Sequence, residues 1–467
     1  MVSTIIHESQ NAAETIYFDY IDGEFLAPTL PIPEAKHALH SLTLEVTSIL
    51  KQTSTSDLER ALNNSPDKLW QNDFAYRSVL LKNFILELNV QLDNIHQADL
   101  IDIGTLKSTC VDFTSWINVE TMEKMFQKMN DFPFEKLHKD NDENLIGITR
   151  FVPKGKCLII CPSNAPIGSS LPQAILALMA GCSVIVKPSL NSLHSFQYVA
   201  KAVHAAGLPK EVFQLVNGGV DVGNYLIKSK KVKAVCFVGS TKVGLQISQE
   251  LSKNLTPFEM ELGGCNPFIV MKDADLNLAV DGLISVLTLI NGQYCCGPSN
   301  ILVHTDVKDE FLKLFMEKCE KDVRLGSSYD ENSTMGPLCP GLAVNLLKTM
   351  DILRNFPNSK EICSAKLPIN EKGYYVPPTI FTNIPKDFVP ELFGPVTVLH
   401  EFETAEDAIE LAMTADARLK GYIFGKSVED VNLIRENVEC TWWDCNLINF
   451  GSHDSFDMTG LSGFQRA

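Results

Sequence analysis

The sequence predicts an α/β protein with two lobes, each built around a mostly parallel sheet. Short apolar segments alternate with helical segments between residues 155 and 262, and a second alternation of the same kind fills residues 263–440. Strands that alternate with helices indicate a parallel sheet with helices on its faces. In such sheets, the crevice at the carboxyl ends of the strands is the usual place for a nucleotide.

The first part of the chain offers helices and a hairpin, without a motif that carries chemistry. Residues 1–133 are predicted to be mainly helical, because apolar residues recur at helical spacing in 78–88 and in 118–129. A polar turn at 139–144 separates two extended segments and predicts a β-hairpin within residues 134–153.

The two alternations predict particular strands and helices. In the first, the predicted strands are 156–161, 183–186, 212–216 and 234–238, and the predicted helices are 171–180 and 195–206. In the second, the predicted strands are 266–270 and 301–304, and the predicted helices are 279–291 and 308–318. The last residues, 450–467, are rich in Gly, Ser and Asp and are predicted to be loop.

Composition argues against several classes of function. The chain has 467 residues, of which 45% are hydrophobic and 21% charged, as is typical of a folded globular protein. A net charge of −17, without a basic run that includes aromatic residues, argues against nucleic acid as a partner. The thirteen cysteines are scattered without CxxC pairs, which predicts free thiols and no metal site. Because neither a signal peptide nor a long apolar run is present, we expect a cytoplasmic protein without a membrane partner.

Two residues in the stretch 258–300 indicate nucleophilic chemistry. Cys295 follows a Gly-Gln turn that ends an apolar helical run, where an accessible sulfur and a backbone N–H can coexist. Glu261 precedes a Gly-Gly pair and could act as a base that activates water. Each residue also has a structural interpretation, since a buried cysteine is usually a small hydrophobic residue and a glutamate can be solvated or cap a helix.

Three further motifs follow predicted strands of the first lobe. Asn164 could donate a hydrogen bond to a developing oxyanion, although an Asn between two prolines also favours a simple turn. Gly239, Ser240 and Gly244 lie where a strand enters a helix, so this segment could bind a phosphate, or Ser240 could only cap the helix. Lys187 could reach a cofactor from the end of its strand, although a solvated lysine is common there.

Eight motifs, in the same order along residues 77–466, resemble signatures of the aldehyde dehydrogenase superfamily. They are Pro162-x-Asn164-x-Pro166, Ala180-Gly181-x-x-Val184-Ile185-Val186-Lys187-Pro188-Ser189, Phe237-x-Gly239-Ser240-Thr241-x-x-Gly244, Glu261-Leu262-Gly263-Gly264-x-x-Pro267, Gly292-Gln293-x-Cys295, Gly336-Pro337-Leu338, Pro378-Thr379-Ile380 and Glu391-x-Phe393-Gly394-Pro395-Val396. Each motif alone is weak, whereas eight in the right order are specific.

The resemblance implies a Rossmann-type cofactor domain, an α/β catalytic domain and a small β oligomerisation element. Residues 1–133 and 154–262 would form the cofactor-binding domain, 134–153 the oligomerisation hairpin, 263–440 the catalytic domain, and 441–467 a C-terminal segment shorter than in most members. Most members continue into a strand that joins a partner's sheet, so we expect a homodimer rather than a tetramer.

The resemblance also implies a role for each site residue. Cys295 would attack the aldehyde as a thiolate, and Asn164 with the backbone N–H of Cys295 would hold the oxyanion. Glu261 would deprotonate the water that hydrolyses the thioester to a carboxylic acid. The cofactor would be NAD or NADP. Lys187 and Glu391 would contact its two riboses, Gly239 and Ser240 its pyrophosphate, and Phe393 its nicotinamide, and Ser189 and Gly244 belong to the same cofactor-binding motifs.

Several positions depart from the family pattern. Leu190 stands where many NAD-preferring members carry a Glu that binds ribose hydroxyls, so we expect NADP to be accepted at least as well as NAD. Ser163 and Ala165 replace bulky residues and predict a wide substrate mouth. Asn300 replaces an arginine with no clear consequence, and 460–466 is a degraded version of the family's closing Gly-rich motif.

Two alternatives to a hydrolytic enzyme for a small-molecule aldehyde stay open. An acylating member would pass the acyl group to coenzyme A, although a thiol acceptor needs no water-activating base such as Glu261. A catalytically inactive member would bind a nucleotide or a partner, although the retention of Cys295, Glu261 and Asn164 argues against it.

Overall fold

A computed structural model describes residues 17–33, 37–115, 117–369, 371–388 and 390–448 of the chain. Short strands and helices precede the predicted hairpin, and strands then alternate with helices as far as residue 262. The elements are β1 (Asp19–Ile21), β2 (Glu24–Leu26), β3 (Leu30–Pro31), β4 (His37–Leu39), β5 (Val46–Ile49), β6 (Lys51–Gln52), α1 (Thr55–Asn63), α2 (Lys68–Asn72), α3 (Phe74–Asp102), α4 (Lys107–Thr114), α5 (Val119–Asp131), β7 (Glu135–Lys139), β8 (Leu145–Arg150), β9 (Lys156–Ile160), α6 (Pro166–Met179), β10 (Ser183–Lys187), α7 (His194–Ala205), β11 (Phe213–Leu215), α8 (Val220–Lys228), β12 (Val232–Gly239), α9 (Thr241–Ser252) and β13 (Phe258–Leu262).

The second alternation builds the other lobe. Its elements are β14 (Pro267–Val270), α10 (Leu276–Thr288), β15 (Asn300–His304), α11 (Lys308–Asp322), α12 (Pro340–Arg354), β16 (Lys360–Ile362), β17 (Thr379–Thr382), β18 (Val396–Phe402), α13 (Ala405–Ala412), β19 (Lys420–Phe424), α14 (Val428–Asn437) and β20 (Trp442–Cys445), with short 3-10 turns at Leu289–Gly292 and Thr305–Val307. Within the described ranges, no helix is long and apolar enough to cross a membrane.

The first sheet has the strand order β13-β12-β9-β10-β11-β1-β2. The strands from β13 to β11 are parallel, and β1 and β2 are added antiparallel at one edge. Successive residues of β10 face opposite sides: Val184 packs in the core shared with α6 and α7, and Ile185 packs in the core shared with α8 and α9. The sheet is therefore buried on both faces, as parallel sheets generally are.

The second sheet has the order β16-β17-β18-β15-β14-β19-β20 and is parallel except for β16. Phe268 and Val270 of β14 face one core, and Ile269 between them faces the other. Strand β20, from the C-terminal segment, pairs with β19 in this sheet. Two helix-covered parallel sheets confirm the predicted α/β fold class, and the domain boundaries drawn from the resemblance stay predictions.

The prediction that residues 1–133 are mainly helical is wrong for their first part. Strands β1 to β6 lie between residues 19 and 52, and β1 and β2 extend the first sheet. Each of these strands has at most four residues, too few to show the alternation by which a strand is recognised. From Thr55 onward the helices form as predicted, and Asp73 caps the long helix α3 by accepting the N–H of Tyr76 at 2.9 Å.

The hairpin prediction is confirmed, and one helix ends earlier than predicted. Strands β7 and β8 pair within residues 134–153. The helix predicted over 279–291 ends at Thr288, because Ile290 and Asn291 adopt left-handed backbone angles, with φ of 47° and 56°. The predictions of a loop over 450–467 and of a degraded closing motif at 460–466 lie outside the described residues.

Candidate active site

One cavity of about 450 Å³ lies where the two sheets meet and takes its walls from both. The first lobe contributes residues at the carboxyl ends of β9, β12 and β13, and the second contributes loops that lead into β15, β18 and β19. The predicted site residues in its walls are Asn164, Gly239, Ser240, Glu261, Cys295, Glu391 and Phe393. Lys187, Ser189 and Gly244 are not among the residues that line it.

The turn before Cys295 has an unusual backbone. Ile290, Asn291 and Gly292 are three consecutive residues with positive φ, at 47°, 56° and 76°. Side chains other than Gly avoid this region, at a cost of roughly 1–2 kcal/mol per residue. A Cβ at Gly292 would clash with the backbone of Pro395. The turn must therefore be stabilised by contacts with residues outside it.

Two buried amides supply those contacts. Asn291 Nδ2 donates to the carbonyl oxygens of Gly104 at 2.9 Å and Pro337 at 2.8 Å. Gln293 Oε1 accepts the backbone N–H of Cys339 at 2.9 Å. The exposures of Asn291 and Gln293 are only 1% and 0%, so these hydrogen bonds are shielded from water. Gln293 belongs to the motif Gly292-Gln293-x-Cys295, but the positioning role of these two amides was not predicted from the sequence.

Asn266 fixes the chain on the other side of Cys295. Its Nδ2 donates to the carbonyl oxygens of Cys295 at 2.8 Å and Gly297 at 3.0 Å. Its Oδ1 accepts the backbone N–H groups of Leu419 and Lys420, each at 2.9 Å. All hydrogen-bonding positions of this amide are used, and the residue is fully buried. The role of Asn266 was not predicted from the sequence, where its only signal is a polar side chain directly before the apolar strand β14.

The thiol of Cys295 is half-buried in the cavity wall. A hydrogen bond with Cys296, burial and the charge of Glu261 together raise the pKa of Cys295 well above its ordinary value. The resting cysteine is therefore a protonated thiol near neutral pH. Glu261 lines the same cavity and is close enough to act on the sulfur electrostatically.

Asn164 lies after β9 and faces the loop that carries Cys295. Its Nδ2 donates to the backbone carbonyl of Gln293 at 2.8 Å. A side-chain amide carries two N–H groups, so the second can serve an oxygen in the cavity. Beside it, the hydroxyl groups of Ser163 and Ser189 lie 2.8 Å apart. The structure thus places Ser189 against Ser163, behind the cavity wall.

The junction of β12 and α9 supplies a helix N-terminus to the cavity. Ser240 caps α9 by accepting the N–H of Val243 at 3.4 Å, and both residues line the cavity with Gly239. Capping and anion binding are compatible here, because the other N–H groups of the first turn and the helix dipole stay directed at the cavity. Gly244 lies one turn on, where a Cβ would be 2.7 Å from Leu262 Cδ2. Its role in this structure is close packing of α9 on β13.

Lys187 and Leu190 lie beside the carboxyl end of β10. Lys187 is buried, with 8% exposure, and its Nζ donates to the carbonyl oxygen of Pro188 at 3.3 Å. Leu190 packs with the apolar cluster that includes Leu50 and Leu193. Leu190 is therefore an apolar side chain with apolar neighbours.

The Gly263-Gly264 pair lets the two lobes approach closely next to Glu261. A Cβ at Gly263 would clash with the carboxylate of Glu391, and a Cβ at Gly264 would lie 2.5 Å from the carbonyl oxygen of Ala417. This turn therefore places Glu391, a predicted cofactor-binding residue, next to Gly263, two residues after the predicted base Glu261. Within the described residues, no group of three or more His, Cys, Asp or Glu side chains could hold a metal ion.

The chain belongs to the aldehyde dehydrogenase family, whose model matches residues 35–467. It is 30% identical over 466 residues to D-glyceraldehyde dehydrogenase (NADP(+)) of Picrophilus torridus, covering 95% of this chain and 92% of the relative. It is 26% identical over 461 residues to a probable betaine aldehyde dehydrogenase of Schizosaccharomyces pombe, covering 96% and 91%. The resemblance inferred from eight motifs is confirmed.

Solved structures of the family share the fold. A 3,6-anhydro-L-galactose dehydrogenase in complex with NAP matches with a TM-score of 0.83 and 24% identity, over 94% of this chain and 93% of that one. Betaine aldehyde dehydrogenase from Staphylococcus aureus in complex with NAD+ matches with a TM-score of 0.81 and 24% identity, over 95% and 90%.

Proposed function

We propose that the protein oxidises a small-molecule aldehyde to a carboxylic acid with NAD or NADP, through a covalent intermediate on Cys295. The observation that carries the proposal is the convergence of Cys295, Glu261 and Asn164 on one cavity. A nucleophile, a base and an amide donor that share a cavity form the set that thiol capture followed by hydrolysis requires.

The residues around the cavity fit a dinucleotide. The N-terminus of α9, with Gly239 and Ser240 in the cavity wall, suits a pyrophosphate. Leu190 places no carboxylate against a 2′-phosphate, so NADP is accepted at least as well as NAD. NADP(+) in the name of the Picrophilus torridus relative supports this choice. When bound, the nicotinamide supplies the acceptor for the hydride of the substrate.

In the first half of the reaction, this chain captures the aldehyde. The Cys295 thiol releases its proton to solvent water, and its sulfur bonds to the aldehyde carbon as the carbonyl π bond breaks, giving a thiohemiacetal oxyanion. The second N–H of Asn164 and the backbone N–H of Cys295 hold the oxyanion. Because Asn266 binds the Cys295 carbonyl and Asn291 holds the turn before it, the sulfur and the N–H keep their orientation.

Loss of a hydride from the thiohemiacetal carbon to the bound nicotinamide would leave a thioester on Cys295. In the second half, the acyl group leaves the sulfur. Glu261 takes a proton from water, and the resulting hydroxide adds to the thioester carbon. The carbon–sulfur bond breaks, the carboxylic acid departs, and the thiolate takes the proton that Glu261 removed from water, which restores both groups. The high pKa of Cys295 favours return to the thiol after each turnover.

Assembly, location and substrate mouth are further parts of the proposal. Ile146 and Ile148 of the β7–β8 hairpin are exposed at 68% and 51%, which supports contact with a second copy in a homodimer. All thirteen cysteines are unpaired, which supports the reducing cytoplasm. Ala165 in the cavity wall supports a wide mouth for the aldehyde.

Reduced-cofactor formation tests the proposal. The purified protein is given a panel of aldehydes with NAD or NADP, with and without coenzyme A. We expect turnover with NADP that needs no coenzyme A and is abolished in Cys295→Ala. Turnover that persists in Cys295→Ala, or that requires coenzyme A, would overturn the proposed mechanism; strong preference for NAD would overturn the cofactor assignment.

A further inference from the structure

A second cavity, of about 20 Å³, lies next to the first. This volume holds one water-sized group. The two cavities share a wall, because the same four residues line both: Phe113, Asn164, Ala165 and Ile290. The small cavity is therefore adjacent to the amide that we assign to the oxyanion.

The far side of the small cavity is polar and incompletely hydrogen-bonded. Asp99 of α3 and Thr105 of the loop before α4 line it, and their exposures are only 6% and 4%. Within the described residues, Asp99 Oδ1 and Thr105 Oγ1 have no hydrogen-bond partner. Buried polar atoms in proteins almost always have partners, so a hydrogen-bonding occupant is required.

The charge state of Asp99 defines that occupant. Burial, and then the charge of Asp102, raises the pKa of Asp99 to about 8, although the nearby Ser195 hydroxyl acts in the other direction. At neutral pH Asp99 is thus mostly a neutral carboxyl that can donate a hydrogen bond. A neutral donor and a threonine hydroxyl suit an uncharged hydroxyl group better than an ion.

Two small residues, Ala165 and Gly168, lie at or beside the wall that the cavities share. Ala165 lies in the shared wall, and Gly168 of α6 lines the small cavity beside it. A Cβ at Gly168 would be 3.1 Å from the carbonyl oxygen of Phe113, so a larger residue would narrow the small cavity.

We propose that the small cavity binds a hydroxyl group of the aldehyde substrate, so that the enzyme selects short hydroxyaldehydes over alkyl aldehydes of equal length. The inference rests on the proposed function, because Asn164 places the reacting oxygen at the wall that both cavities share. Asp99 and Thr105 are then specificity-determining residues. They hydrogen-bond to the substrate hydroxyl, whereas an alkyl chain in the same cavity leaves both side chains without a hydrogen-bond partner.

The test compares glyceraldehyde with propanal, which has the same number of carbon atoms. We expect kcat/KM to favour glyceraldehyde by at least about tenfold, because a site built to bind a hydroxyl rejects an analogue that lacks it. Thr105→Val removes Oγ1 and keeps the side-chain shape, and it should reduce this preference by about tenfold. Thr105→Ser keeps a hydroxyl and should retain the preference.

Thr397→Val is the matched control. Thr397 is fully buried in β18, and its Oγ1 also has no partner within the described residues, but it does not line either cavity. This variant should keep the preference of the wild type. A loss of preference in Thr397→Val as large as in Thr105→Val would attribute the effect to general destabilisation and overturn the proposal.

Binding separates this proposal from the proposed function. Calorimetric titration of Cys295→Ala with each aldehyde, in the presence of NADP, measures recognition without turnover. Tighter binding of glyceraldehyde, weakened by Thr105→Val, supports the hydroxyl site even where catalysis fails. Equal binding of both aldehydes, or a preference unchanged in Thr105→Val, shows that water alone occupies the cavity and overturns the proposal. If Thr105→Val does not fold, the titration of Cys295→Ala decides. Equal binding of glyceraldehyde and propanal to Cys295→Ala then overturns the proposal.

Discussion

The two sheets present opposite ends to the same cavity. The first lobe offers the carboxyl ends of β9, β12 and β13, which is the usual crevice of a parallel sheet. The second lobe offers the loops that enter β15, β18 and β19 at their amino ends. A nucleotide suits the first edge because a helix N-terminus lies there, whereas the second edge has no such generic property.

The difference shows in how each edge is held. At the first edge, backbone geometry does most of the work, through the Gly239–Ser240 junction and the cap of α9. At the second edge, buried amides bind backbone groups across long stretches of sequence, and Asn266 and Asn291 hold the chain on both sides of Cys295. We infer that catalysis is most sensitive to the second edge and cofactor binding to the first.

The largest effect should come from the nucleophile itself. Cys295→Ala should lower kcat/KM by at least about 10⁴-fold, as loss of a covalent nucleophile does in other enzymes. Initial rates of reduced-cofactor formation measure this, and the affinity for NADP should stay within a few-fold. Cys363→Ser, at a half-buried cysteine outside the cavity, should behave as wild type.

Asn266→Ala should come next. It leaves two carbonyls and two N–H groups without their partner, including the Cys295 carbonyl, so kcat/KM should fall about 100-fold. The pH profile of kcat/KM should also shift, because the Cys295 backbone loses a hydrogen bond that fixes its position and the surroundings of the thiol change. Asn217→Ala is the control: this fully buried amide of the first lobe binds Phe18 and Asp19. If both variants only lost stability and kept the pH profile, Asn266 would be structural.

The pair of His194 and Asp102 tests the first lobe through pH. Burial lowers the pKa of His194, but the charge of Asp102 and the 2.6 Å hydrogen bond with it raise the pKa overall. A group whose pKa is raised on folding contributes its full stabilisation of the folded state below its unfolded pKa, here about 6.5. This contribution to the free energy of unfolding is lost as the pH rises through the folded pKa.

Wild-type Tm should therefore fall relative to that of His194→Gln as the pH rises above about 6.5. Thermal unfolding of both proteins across that range gives the difference. A constant difference in Tm at all pH values would contradict the assignment. Asp102 closes α3, one residue before the Ile103–Gly104 segment that contacts Gln293 and Asn291, so activity should follow the same trend only weakly.

Ser240→Ala should have the smallest effect. Loss of the cap of α9 should lower the free energy of unfolding by about 1 kcal/mol. Because the first edge is assigned to the cofactor, the KM for NADP should rise several-fold while kcat changes little. Chemical denaturation and cofactor titration measure the two effects. Should kcat fall more than in Asn266→Ala, the division of labour between the edges would be wrong.

The sequence allowed the sheets, the hairpin and the approximate place of the cavity to be predicted, because apolar periodicity and strand-end positions are local properties. Strands β1 to β6 were not predicted, because they are too short to show the alternation of apolar and polar residues that marks a strand. The left-handed turn at Ile290 and Asn291 escaped for another reason: it is stabilised by contacts with Gly104 and Pro337, which are remote in sequence.

The positioning amides show the same limit. Asn266 accepts hydrogen bonds from residues 153 and 154 positions further on, and Asn291 donates to a carbonyl 187 positions earlier. No local pattern encodes such partners, since a single asparagine is equally at home in a turn. By contrast, Cys295, Glu261 and Asn164 stood beside turns that the sequence shows, so they could be singled out.

The most direct test of the account is the mass of the enzyme during turnover. In Glu261→Gln, capture by Cys295 should proceed while hydrolysis slows, so an acyl group should accumulate on the protein. Intact-protein and peptide mass spectrometry after mixing with NADP and aldehyde should show the acyl mass on the peptide that contains Cys295, at about one group per active site. An unmodified Cys295 peptide in a variant that still consumes aldehyde would contradict covalent catalysis at this residue.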